Sequence, residues 1–252
     1  MESYNDKIKK FAKILVGSDH TVFFGGAGVS TESGLKDYRS ETGIYNTVTS
    51  YGYPPATILS NSFFMENTSV FYKFYKEFFI GNVSPNKAHF SLSHLEEKGM
   101  LKCVITQNVD NLHQASGSKN VLELHGTAEK YYCLSCKKEY TKEIFSPCFP
   151  NTDGVPKCNC GSIIRPHVTL YEEALDEETT DMAIRHIYSA DTLIIGGTSL
   201  AVYPAAAYLR YFGGKNLIVI NKQQTPADKN ASLVFYESIG KVLTDTVSAI
   251  NN

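Results

Sequence analysis

Four cysteines carry the clearest chemistry in this sequence of 252 residues. They form two close pairs, Cys133-x-x-Cys136 and Cys158-x-Cys160. Four thiolates close a tetrahedral zinc site and leave no coordination position for a substrate, so the metal would be structural. Cys148, between the pairs, could replace one ligand. The alternative, four reduced cysteines without a metal, would leave a small polar segment that has little apolar core of its own.

A polar run and a separate histidine could bind and activate a polar ligand. The run Thr106-Gln107-Asn108-Val109-Asp110-Asn111 directly follows the apolar segment Cys103-Val104-Ile105. An ordinary turn rich in Asn and Asp is the alternative interpretation. Further along, Glu123-Leu124-His125-Gly126 ends another short apolar segment, and His125 could act as a general base near neutral pH. We assign His89, His94, His113 and His186 to packing, capping or the surface.

A glycine turn follows the first predicted strand. The turn Gly26-Ala27-Gly28-Val29-Ser30-Thr31 comes directly after Thr21-Val22-Phe23-Phe24-Gly25. In that position, glycines let backbone N–H groups approach a pyrophosphate. Thr31 replaces the third glycine of the dinucleotide fingerprint, and no strand with an acidic end follows about 20 residues later. These departures disfavour a dehydrogenase, and on this motif alone a turn without any ligand stays open.

The elements that must position these residues follow an alternating pattern. Apolar positions Ile8, Phe11, Ala12 and Leu15 predict an amphipathic helix. Short apolar runs at residues 21–24, 103–106, 192–195 and 217–220 alternate with helical stretches and predict a parallel sheet covered on both faces. In open sheets of this kind, ligands bind at the carboxyl ends of the strands. Residues 40–88 and 131–164 interrupt the pattern and predict two inserted segments.

Composition narrows the possible partners. The chain has 24 Lys and Arg against 26 Asp and Glu, a net charge of -2, and 42% hydrophobic residues. A slightly acidic balance gives no basic field for direct binding to nucleic acid. The polar first residues and the lack of a long apolar run predict neither a secretory signal nor a membrane segment. We therefore expect a cytoplasmic protein, and in such a reducing compartment the clustered cysteines favour a metal over disulfides.

Together these motifs resemble the sirtuins, NAD-dependent protein-lysine deacylases, in a bacterial form. The resemblance extends from about residue 8 to 245. The matching residues are Gly26-Ala27-Gly28-Val29-Ser30-Thr31-Glu32-Ser33-Gly34, Asp37-Tyr38-Arg39, Thr106-Gln107-Asn108-Val109-Asp110, Glu123-Leu124-His125-Gly126, the four cysteines, Arg165-Pro166-His167-Val168, Leu170-Tyr171-Glu172-Glu173, Gly197-Thr198-Ser199-Leu200 and Val219-Ile220-Asn221.

The resemblance implies an α/β fold in which a Rossmann-type parallel sheet binds NAD and a smaller domain binds zinc. Residues 1–39, 89–130 and 165–252 would form the NAD-binding domain. Residues 40–88, a helical insertion, and 131–164, the zinc module, would form the smaller one. The implied NAD contacts are Ala27, Thr31, Tyr38, Arg39, Gln107, Val109, Asp110, Thr198, Ser199, Asn221 and Ile239.

The resemblance also implies the catalytic and substrate residues. His125 matches the general base, and Asn108 and Asp110 match the polar pair near the ribose and the nicotinamide amide. The zinc ligands would be Cys133, Cys136, Cys158 and Cys160. An acetyl-lysine peptide would lie as an added strand between two segments, with Val168, Leu170, Tyr171, Glu172, Leu200, Ala201 and Val202 as its contacts.

The implied reaction removes acetyl groups from protein lysines and gives free lysine, nicotinamide and O-acyl-ADP-ribose. Two other activities stay open, a mono-ADP-ribosyltransferase that uses the same site and a non-catalytic NAD-sensing module. Sirtuins that remove acidic acyl groups carry a Tyr-x-x-Arg pair, whereas this chain has Tyr75 and then Phe78. Acetyl groups are therefore expected, and longer apolar acyl groups stay open. A monomer is plausible.

The chain departs from the usual family motif at Lys36-Asp37-Tyr38-Arg39, where Pro-Asp-Phe-Arg is common. Tyr38 keeps an aromatic ring in place of the usual Phe. We therefore expect NAD binding to persist.

Overall fold

The computed structural model describes residues 2–37, 43–44, 51–81, 83–145, 151–152 and 154–251. Tyr38, Arg39 and Cys148 lie outside these ranges. Within the ranges, no helix combines the length and the apolar character that crossing a bilayer requires.

A parallel sheet of six strands forms the larger part of the fold. Its strands are β1 (Thr21–Gly25), β2 (Cys103–Thr106), β3 (Val121–Glu123), β9 (Thr192–Gly196), β10 (Asn216–Ile220) and β11 (Leu233–Phe235), in the spatial order β11-β10-β9-β1-β2-β3. The predicted runs at 21–24, 103–106, 192–195 and 217–220 are confirmed as its central strands. On one side of the sheet the strands follow in chain order from β1 through β2 to β3, and on the other side from β9 through β10 to β11. The boundary between β1 and β9 is therefore a topological switch point, where such sheets bind ligands.

Helices cover both faces of this sheet, as the continuous apolar strands predict. The helices of the fold are α1 (Tyr4–Val16), α2 (Pro55–Ile58), α3 (Asn61–Glu66), α4 (Thr68–Phe79), α5 (Lys87–Glu97), α6 (Leu112–Ala115), α7 (Glu177–Ser189) and α8 (Ile239–Asn251). One face packs Phe23 and Val104 against α1, α5 and α8. The other packs Val22 and Phe24 against α7 and the 3₁₀ helix Ala205–Tyr211. The predicted opening helix is confirmed, and its four apolar positions are buried.

A second apolar core joins the two inserted segments. Its antiparallel strands are β4 (Gly126–Cys133), β5 (Glu139–Tyr140) and β8 (Ile164–Val168), in the order β5-β4-β8, and β6 (Asn151–Thr152) pairs with β7 (Val155–Pro156). Aromatic residues of α4, among them Phe71, Tyr72 and Tyr75, pack here with Tyr131 and Cys133. The cysteine-bearing segment and the helical segment therefore share one core.

The glycine turn after β1 does not open a long helix. Two short 3₁₀ turns, Ala27–Val29 and Thr31–Ser33, follow it instead. Gly34 then has a φ of 91°, which ends the second turn in a left-handed conformation that glycine adopts without strain.

Candidate active site

A cleft of about 500 Å³ opens at the carboxyl ends of the sheet strands, and we call it the main cleft. The turns after β1, β2, β9 and β10 all contribute to its wall. Its predicted residues are Ala27, Thr31, Gln107, Asn108, Val109, His125, Val168, Leu170, Tyr171, Glu172, Thr198, Ser199, Val202, Asn221 and Ile239. Residues from distant parts of the sequence thus meet at the switch point of the sheet.

Two glycine turns meet back to back at the floor of the main cleft. The backbone N–H of Gly28 donates to the carbonyl of Gly197 at 2.8 Å. A Cβ at Gly28 would lie 2.7 Å from that oxygen, and a Cβ at Gly197 would lie 2.4 Å from the backbone nitrogen of Val29. Gly197 also has a φ of +58°. Only glycine fits both positions, and the turns expose main-chain groups suited to a dinucleotide.

Replacing Gly197 with alanine is expected to weaken NAD binding by roughly tenfold or more, because strain of about 1–3 kcal/mol would push the two turns apart. The measurement is NAD affinity by calorimetry, together with the melting temperature. Gly213→Ala is the matched control, since a Cβ there meets no atom within 4 Å. Equal NAD affinity in both variants would contradict this role for Gly197.

Asn108 and Asp110 are joined through the hydroxyl of Ser30. The Asn108 amide donates to Ser30 Oγ at 3.1 Å, and that hydroxyl donates to the Asp110 carboxylate at 2.6 Å. Asp110 does not line the main cleft. It lines a smaller cavity of about 80 Å³, the side cavity, whose wall shares Ala27, Gln107, Asn108, Val109 and Phe79 with the main cleft. The polar pair therefore lies where the two cavities meet.

His125 lines the main cleft in the turn between β3 and β4. Its Nδ1 lies 2.8 Å from the carbonyl oxygen of Gln107. Because a carbonyl only accepts, this contact assigns the proton to Nδ1 and leaves Nε2 as an acceptor. Burial lowers the pKa of His125, and the bond to Gln107 opposes the shift. A neutral imidazole near pH 7 suits a general base.

The turn that holds His125 depends on Gly126. This glycine has a φ of +74°, and a Cβ there would lie 2.0 Å from the carbonyl oxygen of His167 on β8. The carbonyl of His125 also accepts a hydrogen bond from the N–H of Thr169 at 2.8 Å. The histidine is thus fixed from both sides, by the sheet at Gln107 and by the chain that follows β8.

The predicted peptide contacts divide into two sets. Val168, Leu170, Tyr171 and Glu172 all line the main cleft, and so does Val202. Leu200 and Ala201 do not line it, and Leu200 is buried beneath, where its N–H donates to Thr198 Oγ1 at 3.2 Å.

Further residues of the main cleft were absent from the sequence prediction. They include Glu32, Leu59, Tyr75, Phe79, Glu173, Lys222, Gln223 and Glu237. Tyr75 and Phe79 have the helical spacing of core residues, which is also how they pack. Nothing in the local sequence distinguishes a core aromatic from one that also walls a cavity. Glu32 lies inside the glycine motif, and that position could have suggested it.

The four predicted zinc ligands meet at the far end of β4. Their Sγ atoms all lie within 4.8 Å of one another. Cys133 and Cys160 approach to 3.4 Å, and Cys136 and Cys158 to 3.5 Å. Thiolates bound about 2.3 Å from one zinc ion would be separated by roughly 3.8 Å, so the cluster fits a tetrahedral Zn²⁺ with all four positions filled by protein. None of the four lines the main cleft, in keeping with a structural metal.

Comparison with known proteins agrees with this arrangement. The Sir2 family model matches residues 26–204. NAD-dependent protein deacetylases of Clostridium acetobutylicum and Clostridium perfringens are 49% and 50% identical to the chain. The alignment with the first relative covers 96% of this chain and 98% of the relative. The alignment with the second covers 95% of this chain and 98% of the relative. A solved structure of Sir2 bound to acetylated peptide superposes with a TM-score of 0.81 at 35% identity, covering 96% of this chain and 97% of that one. The family model matches most of the chain, and a relative 49% identical to it matches over nearly its whole length. The chain therefore belongs to the Sir2 family.

Proposed function

We propose that this chain is an NAD-dependent protein-lysine deacetylase. Its relatives in two Clostridium species carry that name, and a similar Sir2 structure holds an acetylated peptide. The observation that carries the proposal is the position of His125. A half-buried imidazole with a lowered pKa lies in the main cleft, and Asn108 lines both that cleft and the side cavity.

In this proposal, NAD spans the main cleft and enters the side cavity. Its adenosine lies near Thr198, Ser199, Asn221 and Ile239, and its pyrophosphate near the turns at Ala27 and Gly197. Its nicotinamide enters the side cavity, where the carboxylate of Asp110 accepts from the carboxamide. Tyr38 and Arg39 stay predicted contacts.

The catalytic work of the chain is to orient two reactants and to move one proton. Bound NAD supplies the ribose that takes the acyl group. Nε2 of His125 would accept the proton of the ribose hydroxyl that receives the acyl group. Asn108 holds the ribose region through its link to Ser30. The apolar wall made by Leu59, Val109 and Phe79 excludes water, which would otherwise compete for the ribose.

The acetyl-lysine peptide is proposed to bind as a strand along Val168 to Glu172, with residues 200–203 on its other side. Val202 and Tyr203 line the main cleft on that side, whereas Leu200 and Ala201 would contribute through their main chain. The division into a large domain of residues 1–39, 89–130 and 165–252 and a small domain of residues 40–88 and 131–164 stays a prediction. A monomeric, cytoplasmic enzyme without a nucleic-acid partner stays a prediction.

The test is mass spectrometry of the products formed from NAD and an acetyl-lysine peptide. Equal amounts of free peptide, nicotinamide and acetylated ADP-ribose are expected. Nicotinamide release with the acetyl group retained and mass added to protein would favour the ADP-ribosyltransferase. NAD binding without turnover would favour the sensor.

The same assay tests the acyl preference. Leu59, Tyr75 and Phe79 make an apolar wall in the main cleft, and the sequence has no arginine between Arg39 and Arg165. Arg165 is paired with Glu173 at 2.6 Å. A succinyl-lysine peptide is therefore expected to react at least about tenfold more slowly than the acetyl peptide, because the described residues that line the main cleft include no arginine to bind its carboxylate. Equal rates would contradict this preference.

A further inference from the structure

Glu172 has a main-chain conformation that is unusual for its residue type. Its φ is +77°, in the left-handed region that residues with a Cβ rarely adopt. Such conformations persist when surrounding contacts enforce them, and they cluster at functional sites. Glu172 lines the main cleft on the segment where the substrate peptide is proposed to bind.

The side chain of Glu172 supplies the contact that enforces this conformation. One carboxylate oxygen accepts the backbone N–H of Ser62 at 2.8 Å, and the other accepts the Ser62 hydroxyl at 2.9 Å. Ser62 lies in the first turn of α3, where backbone N–H groups lack helical partners and favour an anion. We call this pair of bonds the Glu172–Ser62 latch.

The residue before Glu172 is bound to the start of the same helix and to the turn that precedes it. The N–H of Tyr171 donates to the carbonyl of Leu59 at 2.9 Å, and its carbonyl accepts from the N–H of Asn61 at 3.0 Å. On the other side, Leu170 donates its N–H to the carboxylate of Glu173, and its carbonyl accepts from the N–H of Glu173. The main-chain groups of Tyr171 and Leu170 are therefore already used within the protein.

The main chain of Glu172 differs from that of its neighbours. Among the described residues, neither its N–H nor its carbonyl forms a hydrogen bond within the chain. An added strand needs such free main-chain groups at the edge of a groove. Of residues 170–172, Glu172 is the one whose main-chain groups are both available to a peptide.

We propose, on the basis of the proposed function, that Glu172 is a positioning residue for the acyl-lysine substrate. The carboxylate of Glu172 accepts two hydrogen bonds from Ser62 and thereby holds the N–H and the carbonyl of Glu172 toward the peptide backbone. The latch acts on peptide binding, because Glu172 belongs to the segment Val168 to Glu172, where the peptide is proposed to bind. It takes no part in proton transfer.

The test compares steady-state constants for the acetyl-lysine peptide and for NAD. Glu172→Ala is expected to raise the peptide KM about fivefold, to change kcat less than about twofold and to leave the NAD KM unchanged, since it removes ground-state binding on one side of the cleft. Ser62→Ala loses one of the two bonds, and a smaller rise in the same direction is expected. Glu172→Gln retains an acceptor and should partly restore the wild-type KM.

Two further variants distinguish the effect of the latch on peptide binding from the effects of backbone strain and of negative charge. Glu172→Gly relieves the left-handed strain but loses the latch, so its melting temperature should hold while its peptide KM rises as in Glu172→Ala. Glu178→Gln removes the same charge at an exposed position on α7 and should behave like wild type. A wild-type peptide KM in Glu172→Ala would overturn the proposal. An equal rise in the KM for NAD would also overturn it, because that result indicates a general structural role.

Hydrogen exchange separates a failure of this inference from a failure of the proposed function. In the free protein, the Ser62 amide should exchange faster in Glu172→Ala than in wild type, whatever the reaction is. If wild-type protein leaves the peptide acetylated, the deacetylase proposal fails and the substrate role of Glu172 fails with it. If wild type deacetylates and Ser62 exchange is unchanged in Glu172→Ala, the latch alone is wrong.

Discussion

Replacing His125 with alanine is expected to lower kcat/KM for the acetyl-lysine peptide by about two to four orders of magnitude, the usual contribution of a positioned general base. NAD should still bind, because the glycine turns and Asn221 do not depend on the imidazole. The position of His125 is fixed by Gln107 and Thr169. A water molecule in the space left by the side chain would lack both this orientation and a suitable pKa.

The control for this prediction is His186→Ala, which removes a histidine that pairs with His20 outside the main cleft. Its kcat/KM should equal that of wild type. If His125→Ala kept more than about a tenth of wild-type activity, His125 would not be the base, given the size of general-base effects.

The pH profile gives an independent check on the same residue. Burial lowers the pKa of His125 below the ordinary histidine value. The basic form therefore predominates at neutral pH, and it is lost as the pH falls through the lowered pKa. The acid limb of kcat/KM should lie below about pH 6.5, the value of an unperturbed histidine. An acid limb above that pH would contradict the assignment.

Removing zinc is expected to abolish both the folding of the small domain and the activity. Two of the thiols, on Cys133 and Cys158, are buried in the core that also contains Tyr75. Metal binding in small modules supplies about 10–16 kcal/mol at pH 7, which is comparable to the stability of a whole domain. Without the ion, the thiols of Cys133 and Cys158 would stay in that core without their ligand, and the packing of α4 against β4 and β8 is expected to be lost.

This loss can be measured with Cys160→Ala. Elemental analysis should give one zinc per wild-type chain and little in the variant, and hydrogen exchange should increase along β4 and β8. Cys103→Ala is the matched control, because Cys103 is buried in β2, away from the cluster, and burial raises the pKa of its thiol to about 12. A Cys160→Ala protein that retained full activity without metal would contradict a structural zinc.

The sequence predicted those parts of the fold that depend on local pattern. Continuous apolar runs identified four strands of the sheet, because a strand buried on both faces admits few polar residues. The pairing of β1 with β9 could not be derived from the residues, since it joins segments far apart in the chain. The chemistry of four closely spaced thiols left few alternative roles for the cysteines, and their Sγ atoms lie close together as predicted.

The sequence was less informative where tertiary contacts decide the outcome. Both were predicted as contacts, but Ile239 lines the main cleft whereas Leu200 is buried beneath it. The left-handed conformation of Glu172 has no local signal, because glutamate is not a residue that prefers it. It depends on Ser62, which lies 110 positions earlier in the chain.

The strand order of the large sheet has a consequence for synthesis on the ribosome. β1 pairs with β9 in the register Thr21 with Thr192, so this neighbour of β1 emerges about 170 residues after it. At translation rates of about 5–20 residues per second, that interval lasts roughly 10 to 30 s. During this time one edge of the apolar strand Thr-Val-Phe-Phe-Gly has no native partner, and unpaired edges of this kind promote aggregation. The nascent chain is therefore expected to need chaperone protection until residue 196 has left the ribosome.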